Sequence, residues 1–223
     1  NYVMKNDITL PEGENNFTAI GTDSAFKGRF KGRFSGDDHT VSGININVSS
    51  SYHGLFGASD NGSIIKNVTV ADSSISGRSY VGGICGDAYM VENCTNYADV
   101  NASIICAGGI CGSGETIINC VNGGNVNADV NTTVYTTIGG IAGVNNNTIR
   151  NCHNTGKIGS EKNAGVIGGI CGRSVSGSLA NCYNTGEGIG RLNATFGGIC
   201  GSDMAQTTEC CYNIGKVSGT SAQ

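Results

Sequence analysis

The chain has 223 residues, of which 37 are Gly, one is Pro and none is Trp; 13% are charged, 38% are hydrophobic, and the formal net charge is -4. Glycine at more than twice its usual share of about 7% weakens helix interiors by about 1 kcal/mol per residue, which excludes helix-rich architectures. The lone Pro and the lack of a three-residue Gly period exclude collagen, the apolar content excludes disorder, and the small negative charge gives no case for a nucleic-acid partner.

The chain opens NYVMKNDITL, without the basic-then-apolar pattern of a secretory leader. No apolar run approaches the roughly 18 residues of a membrane span, so no transmembrane segment is expected. In Phe26–Phe34 the even positions are Phe or Gly and the odd positions Lys27, Arg29, Lys31 and Arg33 are all basic. Period-two alternation of this kind predicts a strand with rings on the core side and cations on the other. Asp37-Asp38 marks a turn, after which Val41, Ile44, Ile46 and Val48 resume the strand pattern. Residues 1–50 are thus predicted to form a variant N-terminal coil or coils.

From residue 51 to 219 the sequence repeats. GLFG at Gly54–Gly57 is followed by GGICG from Gly82, GGICG from Gly108, GGIAG from Gly139, GGICG from Gly168 and GGICG from Gly197. Taking the glycine before each apolar pair (Gly54, Gly83, Gly109, Gly140, Gly169 and Gly198), the steps are 29, 26, 31, 29 and 29 residues. A second motif follows each: IKNVTV from Ile65, VENCTN from Val91, IINCVN from Ile117, IRNCHN from Ile149, LANCYN from Leu179 and TECCYN from Thr208. Each unit closes on an aliphatic residue: Val100, Val126, Ile158, Ile189 and Val217.

Three short apolar runs in about 29 residues cannot bury a core alone, but stacked units bury one jointly. The runs are too short for paired helices. The prediction is an all-β fold, a parallel β-helix or β-solenoid of six to seven coils at roughly 4.8 Å per coil. Residues 220–223 form a tail, and the whole reads as a single continuous domain, a piece of a larger protein.

The GGICG and NCxNxG pairing resembles the GLUG-motif repeat family, and NDITL with FKGRFSGDDHTVSGININ resembles the first coil that precedes such repeats. The likeness extends over about residues 2–219. It implies a right-handed parallel β-helix from a large secreted or wall-attached bacterial protein, as in adhesin-like proteins and the non-catalytic regions of immunoglobulin A metalloproteases. Metalloprotease chemistry is not expected here: the sequence has no HExxH, and His39, His53 and His153 lack partner spacing.

The eleven cysteines fall mainly into two repeat columns. Cys85, Cys111, Cys171 and Cys200 share one with Phe56 and Ala142; Cys94, Cys120, Cys152, Cys182 and Cys211 share another that Val68 begins. Positions that accept Cys, Ala or Val are small buried apolar sites, which predicts reduced interior ladders. Bridging between stacked coils is the other reading, opposed by the dihedral a disulfide needs. Cys106 and Cys210 lie outside both cysteine columns and are the thiols expected to react first if exposed. No spacing suits zinc, and no metal or cofactor is expected.

Asn67, Asn93, Asn119, Asn151 and Asn181 form one asparagine column; Asn96, Asn122, Asn154, Asn184 and Asn213 form another. They are expected to satisfy backbone groups at bends, with the repeated glycines allowing close backbone approach.

Between the Cys and Asn of each NCxN motif lies a variable residue that should face outward: Thr95, Val121, His153, Tyr183 and Tyr212. His153, Tyr183 and Tyr212 suit a sugar ring or a protein partner, or are solvent-facing strand formers. Lys27, Arg29, Lys31 and Arg33 suit an anionic polymer, or serve as a charged edge against aberrant pairing. Enzymes on parallel β-helices, such as pectate lyases, need converging carboxylates. Here the comparable columns mix signs, and only Asp87 with Asp99 invites a test. The sequence therefore predicts no catalytic residue. It points to a non-catalytic stalk or adhesion module, extracellular or wall-attached, whose partner is a host glycan or surface protein. The alternative is a carbohydrate-active β-helix.

Overall fold

The computed structural model of the chain describes residues 1–21, 28–128, 136–159, 162, 165–191, 194–204 and 207–220, and every element among them is a β-strand. The strands pair in parallel and stack as a β-solenoid of about seven turns. One regular coil shows the plan. Val81–Gly82, Cys85–Glu92, Thr95–Asn96 and Asp99–Ala102 each lie on the same segment of the neighbouring coils. The Thr95–Asn96 position belongs to an eight-stranded sheet that runs from Ile8–Thr9 to Tyr212–Asn213.

Like side chains stack over like. Phe56, Cys85, Cys111, Ala142, Cys171 and Cys200 are in register. So are Ile65, Val91, Ile117, Ile149 and Leu179, all fully buried. Each such side chain contributes about 1.5–3 kcal/mol by leaving water. In the last coil Thr208 takes this place and is exposed.

Both asparagine columns form hydrogen-bonded ladders of different kinds. The first occupies the corner after the longest strand, where Asn67, Asn93, Asn119, Asn151 and Asn181 have φ of 53–56°, left-handed geometry that Asn tolerates better than most residues. Its exposed amides bond rung to rung; Asn119 Nδ2 donates to Asn93 Oδ1 at 2.9 Å and Asn151 Nδ2 to Asn119 Oδ1 at 3.0 Å. The second column is buried. Asn154 Nδ2 donates to Gly156 O at 2.8 Å and to Asn184 Oδ1 at 2.8 Å, while its Oδ1 accepts from Asn122 Nδ2 at 2.7 Å. The two motifs of the repeat meet at this ladder, because a Cβ on Gly140 would overlap Asn154 Cγ, and Gly83, Gly109, Gly169 and Gly198 face Asn96, Asn122, Asn184 and Asn213 in the same way.

The N-terminal coils join the same stack: Tyr2–Val3 pairs with Arg33–Ser35, and Ile8–Thr9 with Thr40–Ser42. In these coils Ile8, Val41 and Val70 hold the place later taken by the buried asparagines. Asp7 Oδ1 accepts from Thr40 N at 2.9 Å and contacts His39 Nδ1 at 3.0 Å; these bonds, the backbone one foremost, hold its carboxyl below the usual range. The alternating run behaves as expected at Phe30, which is buried against Phe56 with ring centroids 4.9 Å apart; Phe26 and Lys27 lie outside the described residues.

One position departs from the sequence reading. Gly188, not Ile189, aligns with Ile158 and Val217. Ile189 is half-buried, because the Phe196 ring stands where a Cβ on Gly188 would go.

The two ladders differ in what a deletion leaves behind. Asn154→Ala strands buried polar groups on three partners, each costing about 1–3 kcal/mol, and should lower the unfolding free energy by about 3 kcal/mol or more in a denaturant titration. Asn151→Gly keeps the left-handed corner and loses only exposed bonds, so a change of about 1 kcal/mol or less is expected. Equal losses would contradict the assignment of inner and outer ladders.

Candidate functional site

The outward column of the eight-stranded sheet reads Thr69, Thr95, Val121, His153, Tyr183 and Tyr212 in register. The last three are brought together. His153 and Tyr183 stack at 4.7 Å with 3° between planes, and Tyr183 and Tyr212 at 5.2 Å with 5°. Burial lowers the His153 pKa, which keeps the ring neutral at pH 7. Stacking turns the ring faces toward one another. The stripe therefore offers edges and hydroxyls along its length and one open face on Tyr212, which is 53% exposed.

The basic run is divided. Arg29 is half-buried, with Nη2 2.8 Å from Asp87 Oδ2 and Nη1 donating to Ser59 O at 3.0 Å. Lys31 Nζ lies 3.5 Å from Asp60, both well exposed, and Arg33 is exposed. Asp87, 58 residues away in sequence, thus neutralises this partly buried cation.

That same contact separates Asp87 from Asp99. Asp87 lies on the long-strand sheet and faces Arg29; Asp99 lies on another sheet, accepting from Asn125 Nδ2 at 2.9 Å. The column before the closing aliphatics runs Asn45, Ser74 and Asp99 in register, with Asn125, Lys157, Glu187 and Lys216 in the later coils. Its signs alternate, so neither it nor Asp87 with Asp99 forms the paired carboxylates of acid/base catalysis.

All eleven cysteines are free thiols. Cys85, Cys94, Cys111, Cys120, Cys152 and Cys171 have pKa values raised foremost by burial. Cys106 is fully buried, its thiol pushed up by burial to about 12, which removes it from the thiols poised to react. Cys210 is exposed and stands in the outer asparagine column with φ 51°.

Other features were not legible as motifs. Tyr52 and Tyr80, both with left-handed φ, stack at 4.9 Å with 3° between planes. Ser50 Oγ lies 2.9 Å from Nε2 of the buried His53, whose pKa is lowered by burial; the serine satisfies an imidazole that packs on Gly77. A cleft of about 600 Å3 is lined by Glu12, Asn16, Asp72, Tyr97 and Asp99, with Tyr97 56% exposed and lying against Gly123. Repeated Gly-Asn corners signal where such side chains sit, but not that they share a cleft.

Residue types and architecture define a parallel β-solenoid with polar and aromatic outward columns. No protein family matches the chain by sequence profile, and no curated protein matches it by sequence. Among solved structures, it is similar to the crystal structure of a "putative immunoglobulin A1 protease" from Bacteroides ovatus, with a TM-score of 0.66, 20% identity, and coverage of 98% of this chain and 70% of that one. At this identity the likeness establishes the fold. Among the described residues no helix is long and apolar enough to cross a membrane.

Two outcomes follow for the thiols. Under native conditions a maleimide should modify Cys210 first, and Cys106 only after unfolding; early labelling of Cys106 would contradict its burial. The second concerns alkaline pH. Cys85, Cys94, Cys106, Cys111, Cys120, Cys152 and Cys171 have folded pKa values above the ordinary 9.0. Their stabilisation is intact below the unfolded value and is lost as pH rises above it, because only the unfolded thiols then release protons. With reductant present, the unfolding free energy should fall by about 1 kcal/mol per thiol between pH 9 and 10. A flat profile would contradict it.

Proposed function

We propose that the chain is a non-catalytic repeat module of a bacterial surface or secreted protein, acting as a stiff spacer that carries an adhesive face. The observation that supports this most is where the polar groups go. The buried asparagines are consumed in a ladder running from Asn96 to Asn213, and Asp87 and Asp99 are engaged by Arg29 and Asn125. Side chains committed to holding coils together are not poised to exchange protons with a substrate. The resemblance to GLUG-motif repeats points to such a module, and the fold is shared with the Bacteroides ovatus protein. The adhesive face is the His153, Tyr183 and Tyr212 stripe, whose partner is a host glycan or surface protein.

A second reading, a carbohydrate-active β-helix, is favoured by one observation: Tyr97 and the acids Glu12, Asp72 and Asp99 line a single cleft.

Incubating the chain with neutral and acidic polysaccharides and mucin glycans separates the two. Retention without new reducing ends or unsaturated products, weakened several-fold by Tyr212→Ala, is the expected outcome. Turnover that disappears in Asp99→Asn would overturn the non-catalytic assignment. Retention unchanged by Tyr212→Ala would remove the stripe from it.

A further inference from the structure

Where each Gly-Gly turn carries the chain from one sheet to the next, two outward columns face each other. Cys106, Thr137, Val166 and Thr195 are in register on one side, and Asp87, Ser113, Val144, Arg173 and Ser202 on the other. The floor between them is glycine. A Cβ on Gly172 would sit 2.7 Å from Ile138 N, and one on Gly201 2.7 Å from Val166 Cγ1. Side chains are thus excluded from the floor, and the walls enclose a cleft of about 540 Å3, lined chiefly by Tyr80, Ile105, Thr137, Val144, Val166 and Arg173.

Three features of this cleft point to a ligand. Half of its lining is aliphatic, Ile105, Val144, Val166 and Val175, with Ile105 and Val175 39% and 41% exposed. Thr137 is 7% exposed, and its Oγ1 is buried with no hydrogen-bond partner. A hydroxyl in that state costs folding free energy unless something delivers a partner. The third feature is Arg173. It is exposed, its guanidinium makes no ion pair among the described residues, and Nη2 lies 3.7 Å from Met204 Sδ. Asp87, the acid in the same column, is neutralised by Arg29, so Arg173 sets the charge of the cleft.

We propose that this cleft binds a small amphipathic carboxylate, with its apolar body along Val144, Val166 and Ile105, a hydrogen-bonding group at Thr137 and its carboxylate on Arg173. The volume falls within the roughly 300–1,000 Å3 of small-molecule sites. A guanidinium favours a carboxylate over other polar groups because it offers two parallel donors. Val144 and Arg173 lie on successive coils, so the bound molecule extends along the solenoid axis across two or three coils, roughly 10–14 Å. The site is separate from the aromatic stripe and does not depend on the spacer reading.

The test titrates the intact chain with 4-phenylbutyrate, and with 4-phenylbutanol as the uncharged control, following methyl NMR signals and heat. The expected result is saturable shifts confined to Ile105, Thr137, Val144, Val166 and Val175, with the acid bound about tenfold more tightly than the alcohol. Arg173→Gln should abolish that preference while leaving alcohol binding unchanged. Thr137→Val should weaken both ligands several-fold, and should raise the unfolding midpoint because it removes an unpartnered polar atom. No saturable shift through the low-millimolar range, equal acid preference in Arg173→Gln, or a lowered midpoint in Thr137→Val would each overturn the proposal.

Discussion

A buried primary amide must find partners for two protons and an oxygen, and it must find space. In this solenoid both demands are met by the same pairing: each inner asparagine lies against the second glycine of a Gly-Gly turn in its own coil, where a Cβ would overlap it. With that space kept clear, one N–H reaches the carbonyl two residues on and the other reaches the amide of the next coil, as at Asn122 and Asn154. The ladder fixes register between coils. A slip of one residue along a strand would turn every asparagine outward and every alternate polar residue inward.

The rest of the interior depends on that register. Aliphatic and thiol columns stack because their coils cannot slide, and free Cys serves there as a small apolar side chain that also donates weakly to backbone, as from Cys152 Sγ to Arg150 O at 3.2 Å. Charge is handled differently. Few ion pairs occur among the described residues, and the best formed, Arg29 with Asp87, ties the N-terminal segment to the first regular coil at a partly buried site, where removing one partner leaves an uncompensated charge.

The fold was legible because its period is long, exact in chemistry and visible in two motifs at once. The column assignments of the cysteines and of His153, Tyr183 and Tyr212 follow from that period alone, and the registers place them accordingly. What could not be read is whatever depends on orientation or on partners distant in sequence. The two asparagine columns look alike in sequence, yet one is an exposed left-handed corner and the other a buried strand position. Stacking that consumes ring faces is a matter of χ angles, not spacing. Arg29 reads as one cation of a stripe, and only the fold brings Asp87 beside it. Ile189 obeyed the pattern of closing aliphatics and still lost its inward place to the bulk of Phe196. Thr137 and Arg173 carry no motif, since nothing in a sequence marks a hydroxyl as unpartnered.

The two amide ladders run in opposite senses. Inner N–H groups point toward the following coil, as from Asn122 to Asn154, and outer ones toward the preceding coil, as from Asn151 to Asn119. Their dipoles therefore oppose one another along the axis. In a stack built this way the asparagine amides add little moment of their own when a unit is duplicated or lost.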